Sequence, residues 1–109
     1  MFGSKQDKIQ KAIVKKKTDA LIKFLGDKDK SIVLAAIQGL GTIKEDDSFN
    51  AVIPYLSSDD AQLRQAAAEA LGEMGNAHAK AFLLHAASIE KDAKVRAAME
   101  HANGKLKEH

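Results

Sequence analysis

The side chains best suited to metal binding or acid–base chemistry in this chain are four histidines and two pairs of neighbouring aspartates. The histidines are His78, His85, His101 and His109. His78 and His85 are seven residues apart, which on one α-helix separates them by about 10 Å along the axis. Both imidazoles therefore cannot bind one small ion without a ligand from another element. With no cysteine and no HExxH-like pair, the sequence predicts no metal site.

The two acidic pairs are Asp46-Asp47 and Asp59-Asp60. Both lie at expected loop or helix-cap positions, where aspartate oxygens accept hydrogen bonds from backbone N–H groups. Paired acids that work in general acid–base catalysis need a surrounding pocket, and the sequence indicates none. The chain also contains no GxxxxGK[ST], GxGxxG or GxSxG motif. We therefore predict a protein that is not an enzyme and has no cofactor.

Composition places these residues in an ordinary globular chain. The 109 residues are 45% hydrophobic and 29% charged, with a formal net charge of +2, and they fit a single domain over 1–109. No apolar run approaches the roughly 20 residues that a membrane span requires. The start, MFGSKQDK, lacks the apolar core of a secretory signal. We expect a cytoplasmic protein that does not contact a membrane.

Positive charge is concentrated at the N-terminal side. Residues 1–18 hold six lysines and one aspartate, a formal charge of +5. The lysines that we single out are Lys11, Lys15, Lys16 and Lys17. The favoured interpretation is a solvated face of a capping helix. The alternative is a docking site for nucleic acid or an acidic partner, although only Phe2 lies near enough for base stacking.

The most regular helical pattern occupies residues 59–75, DDAQLRQAAAEALGEMG. Asp59 or Asp60 can cap the first turn. One stripe of a 3.6-residue helix is then formed by Leu63, Ala67, Ala70, Leu71 and Met74. Gly72 and Gly75 should end the helix. The many alanines in the stripe predict a close neighbouring helix.

This pattern recurs along the chain. Residues 27–43 match it at a shift of 31, and residues around 92–106 match it more weakly at a shift of 32. A short apolar segment precedes each copy: LIKFL at 21–25, VIPYL at 52–56 and LLHAA at 83–87. We predict a basic N-terminal helix at 4–17, then helix-turn-helix repeats at 18–43, 48–75 and 76–107. The third repeat is degenerate because Asn103 replaces the expected leucine.

Local features give more specific expectations. A first helix should cover about 5–16, and residues 30–41 should form the second helix of repeat one. Gly39 inside that helix predicts a close helix–helix approach. Pro54 lacks an N–H group, so its helix should either start late, near Asn50, or bend at the proline. Asn76 should cap the first helix of repeat three.

The segment DAQLRQAAAEALG, residues 60–72, resembles the short HEAT-like repeats of phycobilisome-lyase-like proteins. The resemblance covers about residues 18–106. It implies an all-α fold, an α-solenoid of about three helix-turn-helix repeats with an N-terminal capping helix. It also implies that Arg64 and Arg96 tie neighbouring repeats together through acids such as Asp59, Asp60 or Asp92. Repeat one departs from the pattern because it has Val33 in place of the arginine.

In such proteins the second helices line a concave wall that binds the partner. Carried over by position, the exposed wall residues would be Ser31, Leu34, Gln38, Thr42, Gln62, Gln65, Glu69, Glu73, Lys94, His101 and Lys105, with Ala97 among them. Their i, i+3, i+7, i+11 spacing separately places each set on one helical face. The wall is polar and mixed in charge, with Leu34 as its one large apolar residue.

The sequence therefore favours a non-enzymatic module that binds another protein and is a monomer or a weak homo-oligomer. One alternative, by family analogy alone, is a bilin lyase-like or chromophore-handling subunit. Another is nucleic-acid binding through the lysine-rich helix. The second alternative is disfavoured because Glu69 and Glu73 lie in the middle of the expected wall.

Overall fold

In a computed structural model, residues 3–106 are described, and within that range the secondary structure is entirely helical. The elements in chain order are α1 Lys5–Val14, α2 Thr18–Phe24, α3 Lys30–Gly41, α4 Asp46–Val52, a 3-10 helix Ile53–Ser57, α5 Ala61–Met74, α6 Ala79–Ile89 and α7 Ala93–Lys105. The predicted all-α class is confirmed.

The helices form two layers. One layer, the second-helix layer, contains α3, α5 and α7 packed side by side. The other contains α2, then α4 with the 3-10 helix, then α6. Each helix of this first-helix layer packs on the following member of the second-helix layer, and α1 packs on both α2 and α3. This arrangement confirms a small α-solenoid of three helix pairs preceded by one helix.

An aspartate begins each helix of the second-helix layer. Asp29 Oδ1 accepts a hydrogen bond from Ser31 N at 2.9 Å, and Asp60 Oδ1 accepts one from Gln62 N at 2.8 Å. Asp92 Oδ1 does the same for Lys94 N at 2.9 Å. Each bond satisfies an N–H group that has no partner inside the helix. The same local chemistry therefore starts all three repeats at equivalent positions.

The apolar stripe of α5 lies at the centre of the core. Ala67 and Leu71 are completely buried, and Ala70 and Met74 are nearly so. Leu71 packs in one cluster with Leu40 from repeat one and Leu83 from repeat three. In α7, Asn103 stands at the position of Leu71, and its Oδ1 atom is buried with no hydrogen-bond partner among residues 3–106. Repeat three therefore has a polar side chain at the position where the other two repeats have a buried leucine.

Glycines set the distance between neighbouring second helices. A Cβ atom built on Gly41 would lie 2.9 Å from Ala70 Cα, and one on Gly72 would lie 3.1 Å from Ala102 Cα. Gly39 is equally crowded, with Ile13 Cγ1 at 2.8 Å. The predicted close approach at Gly39 is confirmed. Gly72 does not end α5 as expected; it lies inside the helix, and Gly75, with φ of 70°, forms the left-handed C-cap.

Three helix boundaries differ from those predicted. α1 ends at Val14 instead of near residue 16, because Lys16 adopts a left-handed φ of 54°. α4 begins at Asp46, before Asn50 and before the predicted start of repeat two, so the late start was wrong. The helix instead changes to 3-10 form at Ile53, beside Pro54. Asn76 Oδ1 accepts from His78 N at 2.9 Å in a turn before α6, and it does not cap the helix, which begins at Ala79.

Candidate protein-binding surface

The predicted wall residues all lie on α3, α5 or α7, or at the end of α3. The exposed ones are Ser31, Gln38, Thr42, Gln62, Glu69, Glu73, Lys94, Ala97, His101 and Lys105. Gln65 is half-buried. Leu34 is also half-buried and packs against the core, so the expectation that it is the large apolar exposure of this surface was wrong.

A groove of about 380 Å³ runs between α5 and α7. Its floor contains Gly72, Ala98 and Ala102, whose small side chains leave the space open. Its rims carry four of the predicted wall residues: Glu69, Glu73, His101 and Lys105. We call this feature the α5–α7 groove. The wall residues of α3 do not line this groove. Among them, Thr42 donates a hydrogen bond from its Oγ1 atom to the Gly39 carbonyl at 2.7 Å.

The charges of the α5–α7 groove are partly compensated. Lys105 Nζ lies 2.8 Å from Glu73 Oε1 across the groove, and this hydrogen bond holds the pKa of the Glu73 carboxyl below its ordinary value. Glu69 accepts a weaker hydrogen bond from Gln65 Nε2 at 3.2 Å. Glu69 thus keeps an exposed carboxylate that no cation among residues 3–106 neutralises by a salt bridge. The groove presents both a mixed-charge edge and an acidic one.

Arg64 ties repeat two to repeat three. Its Nε and Nη2 atoms donate to the two carboxylate oxygens of Glu90 at 2.8 and 2.9 Å. Its Nη1 atom donates to the carbonyls of Ser58 and Asp59 at 2.9 and 3.2 Å. The inter-repeat role of Arg64 agrees with the expectation, but the acid is Glu90, and the carboxylates of Asp59, Asp60 and Asp92 do not bind it. Asp60 is bound instead by Lys30 Nζ, at 3.0 Å.

Arg64 and Glu90 shift each other's ionisation. The hydrogen bonds from the guanidinium lower the pKa of the Glu90 carboxyl, and burial opposes this effect. The same bonds raise the pKa of Arg64. Glu90 also accepts a hydrogen bond from Asp92 N at 3.1 Å, so the one carboxylate organises the turn before α7. A charged acid that is nearly buried and fully hydrogen-bonded is a structural element here.

Arg96 has a different environment from its equivalent Arg64. Its Nη1 donates to the Glu90 carbonyl at 3.2 Å, as Arg64 Nη1 does to Ser58. Among residues 3–106 no carboxylate forms a salt bridge with it, and its side chain is exposed. The expected pairing of Arg96 with a neighbouring acid was therefore wrong within that range.

An apolar groove in the first-helix layer was not predicted from the sequence. It has a volume of about 450 Å³ and lies between the 3-10 helix and α6, with Pro54, Phe82, His85 and Ile89 among its lining residues. Phe82 is 48% and Ile89 is 65% exposed. The sequence does contain one signal for this groove, because Phe82 occupies the position held by Ala51 one repeat earlier. That large-for-small replacement marks α6 as unusual.

The basic residues at the N-terminal side do not share one helix. Lys11 lies in α1, Lys15 is its C-cap, Lys16 is left-handed and Lys17 is the N-cap position of α2. All four are exposed. Their charges are thus distributed around a corner of the chain. These four lysines therefore do not form one stripe on a single helix.

Two searches of the structure bear on other classes of function. Across residues 3–106, no group of three or more histidine, cysteine, aspartate or glutamate side chains could together hold a metal ion. In the same range, no helix is both long enough and apolar enough to cross a membrane.

Comparison with known proteins agrees with this architecture. A family model described as HEAT repeats matches residues 18–103, from the start of α2 almost to the end of α7. No curated protein matches the chain. The match spans the three helix pairs and leaves out α1, which is the helix without a repeat partner. Because it covers well over half of the sequence, this chain belongs to the HEAT repeat family.

Proposed function

We propose that this protein is a non-enzymatic interaction module that binds a partner protein along the exposed side of α3, α5 and α7, centred on the α5–α7 groove. HEAT repeats generally serve as protein-interaction scaffolds. The observation that carries the proposal is the groove itself. Four polar side chains from two repeats converge on it, and its floor is made of glycine and alanine.

The groove favours a particular kind of partner surface. Its floor is made of glycine and alanine and offers little apolar surface to hold an aromatic anchor. Its rims carry the Glu73–Lys105 pair and the Glu69 carboxylate, which no cation among residues 3–106 neutralises by a salt bridge. A partner segment with a lysine or arginine beside small side chains complements that arrangement. Such an interface would be polar, with specificity and association rate governed by charge. We therefore expect binding that weakens as salt concentration rises.

The two alternative functions have less support. Chromophore handling rests on family analogy alone, and the chain contains no cysteine for covalent attachment. Nucleic-acid binding requires positive charge facing the phosphates. The groove instead exposes Glu69, and Glu73 lies beside it, so phosphate would be repelled from the centre of this surface.

An affinity pull-down from lysate of the source cell tests the proposal. The bait is wild type or a Gln65→Ala, Glu69→Lys double variant, both shown by circular dichroism to be folded. The matched control is His85→Ala, Ile89→Ser in the first-helix layer, where both side chains are exposed. Support would be a protein that wild type and the control retain and the groove variant loses. The captured protein should then bind the Glu69→Lys variant at least about tenfold more weakly in calorimetry.

Other outcomes would overturn the proposal. A partner retained equally by all three baits does not bind the groove. A partner lost only with the His85→Ala, Ile89→Ser control would place the binding surface at the apolar groove of the first-helix layer. A DNA-dependent shift that substitution of Lys15, Lys16 and Lys17 abolishes would instead support nucleic-acid binding.

A further inference from the structure

The same repeat positions form both internal junctions of the stack. Gly41 of repeat one meets Ala70 of repeat two, and Gly72 of repeat two meets Ala102 of repeat three. Arg64 of repeat two reaches Glu90 of repeat three. The positions that follow next in this register are Gly104 and Arg96, both on α7. Both have the residue types found at an internal junction.

Neither residue has a junction partner among residues 3–106. A Cβ atom built on Gly104 meets nothing within 4 Å, and Arg96 forms no salt bridge in that range. Leu84, the equivalent of Ile53 in the preceding repeat, is 57% exposed. Ile53 lines the groove against α6. The side of the third repeat that faces away from α5 therefore retains glycine, arginine and leucine at positions that are covered in repeat two.

One replacement shows that this side is not prepared for another ordinary repeat. Ala68 of α5, which is completely buried, is replaced at the equivalent position of α7 by Glu100, which is exposed. An ordinary junction would bury that carboxylate without a cation, at a large free-energy cost. A partner at this side must therefore offer a positive charge to Glu100 as well as a negative charge to Arg96.

The exposed residues of α7 on this side form one stripe: Ala93, Arg96, Ala97, Glu100 and Gly104. At 100° per residue, these residues point roughly opposite to Ala102, which faces α5. Arg96 and Glu100 lie well around the helix from Lys105 on the rim of the α5–α7 groove, whereas Ala97, a predicted wall residue, lies one turn before His101 and borders the wall. We call these five residues the α7 stripe.

The α7 stripe is complementary to itself. Arg96 and Glu100 are one helical turn apart, so two antiparallel copies centred between them place Arg96 of each against Glu100 of the other. The small residues of the stripe allow two helix axes to approach closely. A symmetric contact of this kind is isologous and closes as a two-fold dimer. A head-to-tail contact that continued the register would place Gly104 of one copy against Gly39 of the next, because Gly39 is the equivalent of Ala70. Gly39 is already covered by Ile13 of α1, so this contact is blocked.

We propose that two copies of this chain associate through their α7 stripes, antiparallel, with reciprocal Arg96–Glu100 ion pairs and with Gly104 permitting close contact. The association goes beyond the proposed partner binding and leaves the α5–α7 groove exposed in each copy. Because the contact is narrow and charged, it depends on protein concentration and weakens in high salt.

Sedimentation velocity across a wide concentration range in low salt tests this proposal. Wild type should shift from 11.7 kDa toward twice that mass as concentration rises. Arg96→Glu and Glu100→Arg each oppose like charges and should weaken association at least about tenfold. The double variant Arg96→Glu, Glu100→Arg restores opposite charges and should recover most of the affinity. Lys94→Glu, a charge change on α7 outside the stripe, is the matched control and should associate as wild type does.

A second variant keeps the test independent of helix stability. A Cβ atom at Gly104 meets nothing within 4 Å among residues 3–106, so Gly104→Leu should fold with unchanged helix content and yet prevent association. A wild-type mass that stays at 11.7 kDa at every concentration would overturn the proposal, as would a double charge reversal that restores nothing. If Arg96→Glu instead removes a different protein in the pull-down while wild type stays monomeric, the stripe binds that protein and the dimer is wrong. None of these results depends on the Gln65 and Glu69 variants, so the two proposals fail separately.

Discussion

The guanidinium of Arg64 in α5 binds both carboxylate oxygens of Glu90, 26 residues later in the chain, at 2.8 and 2.9 Å. Glu90 lies between α6 and α7, so the pair joins repeat two to the turn on which repeat three begins. The Glu90 side chain is only 4% exposed. A two-pronged contact to a nearly buried acid is stronger and more directional than a surface ion pair.

Loss of this pair should destabilise the fold. Arg64→Ala leaves the Glu90 carboxylate without its main donor, and we expect the free energy of unfolding to fall by roughly 1.5–3 kcal/mol, the range for hydrogen bonds to charged groups. Arg96→Ala is the matched control, since that arginine has no carboxylate partner among residues 3–106, and it should change stability by less than about 0.5 kcal/mol. Urea unfolding followed by circular dichroism, at a dilution where the chain is monomeric, measures both. Equal losses for the two variants would contradict the structural role of Glu90.

Acid should destabilise the protein through the same carboxylate. The pKa of Glu90 in the folded chain lies below its ordinary value of 4.5, so the unfolded chain binds protons more readily. Stability from this group is fully present above pH 4.5 and is lost as pH falls through the folded pKa. The carboxyls of Asp27, Asp60 and Glu73 have pKa values shifted in the same direction by Lys5, Lys30 and Lys105.

The contribution of Glu90 to this acid sensitivity can be isolated. Glu90→Gln removes the titrating group, so its unfolding free energy should change less between about pH 5 and pH 3 than that of wild type. The variant will be less stable at neutral pH, and the comparison is therefore of slopes. Chemical denaturation at several pH values gives both slopes. A steeper slope for the variant would show that the sign of the Glu90 shift is wrong.

Two glycines at equivalent positions should respond in opposite directions to alanine. Gly41→Ala places a Cβ atom 2.9 Å from Ala70 Cα, a backbone atom, so helices α3 and α5 must separate, at a cost of roughly 1–3 kcal/mol. Gly104→Ala meets nothing within 4 Å among residues 3–106 and gains helix propensity, so it should stabilise by up to about 1 kcal/mol. Thermal unfolding of the dilute proteins distinguishes them. If both substitutions stabilise, helices α3 and α5 are not in backbone contact at Gly41.

The core of the stack should depend on Leu71. It is completely buried and belongs to the one hydrophobic cluster that joins all three repeats, and Leu71→Ala should cost roughly 2–5 kcal/mol. In a stack this short such a loss can unfold the whole domain, because each repeat is stabilised only by its neighbours. Leu84→Ala, at a 57% exposed position of α6, should cost less than about 0.5 kcal/mol. An unchanged melting temperature for Leu71→Ala would refute this placement of α5.

The sequence predicted well those features that depend on neighbours along the chain. The helix over 30–41 was located to the residue because Asp29 caps it and one apolar stripe defines its length. The repeat period followed from similar stripes, since burial between identical neighbours imposes the same pattern on each copy. Conversely, the end of α1 at the left-handed Lys16 could not be predicted from the sequence, because such a conformation is usually adopted by glycine and a lysine does not indicate it.

Features that depend on how helices dock were harder to predict. Gly72 near the end of a helical pattern is typical of a C-cap, and only the position of Ala102 shows that it is a crossing point. Glu90 lies in a loop just before a capping aspartate, where the sequence does not indicate which residue a side chain will contact. The α5–α7 groove combines residues 32 positions apart, such as Glu73 and Lys105. Their spacing predicted a shared face, whereas the ion pair across the groove needed the packed structure.

The glycine contacts at Gly41 and Gly72 have a geometric consequence for the stack as a whole. On one side of each repeat the second helices touch backbone to backbone, while on the other side successive first helices contact one another much less extensively. Each repeat is therefore a wedge, thin at its glycine and thick at the opposite edge. Repeats of this shape stacked in series follow an arc whose radius is set by the difference in width between the two edges. A single methyl group at position 41 or 72 would thus open the arc, and any partner shaped to its inner curve would lose its fit.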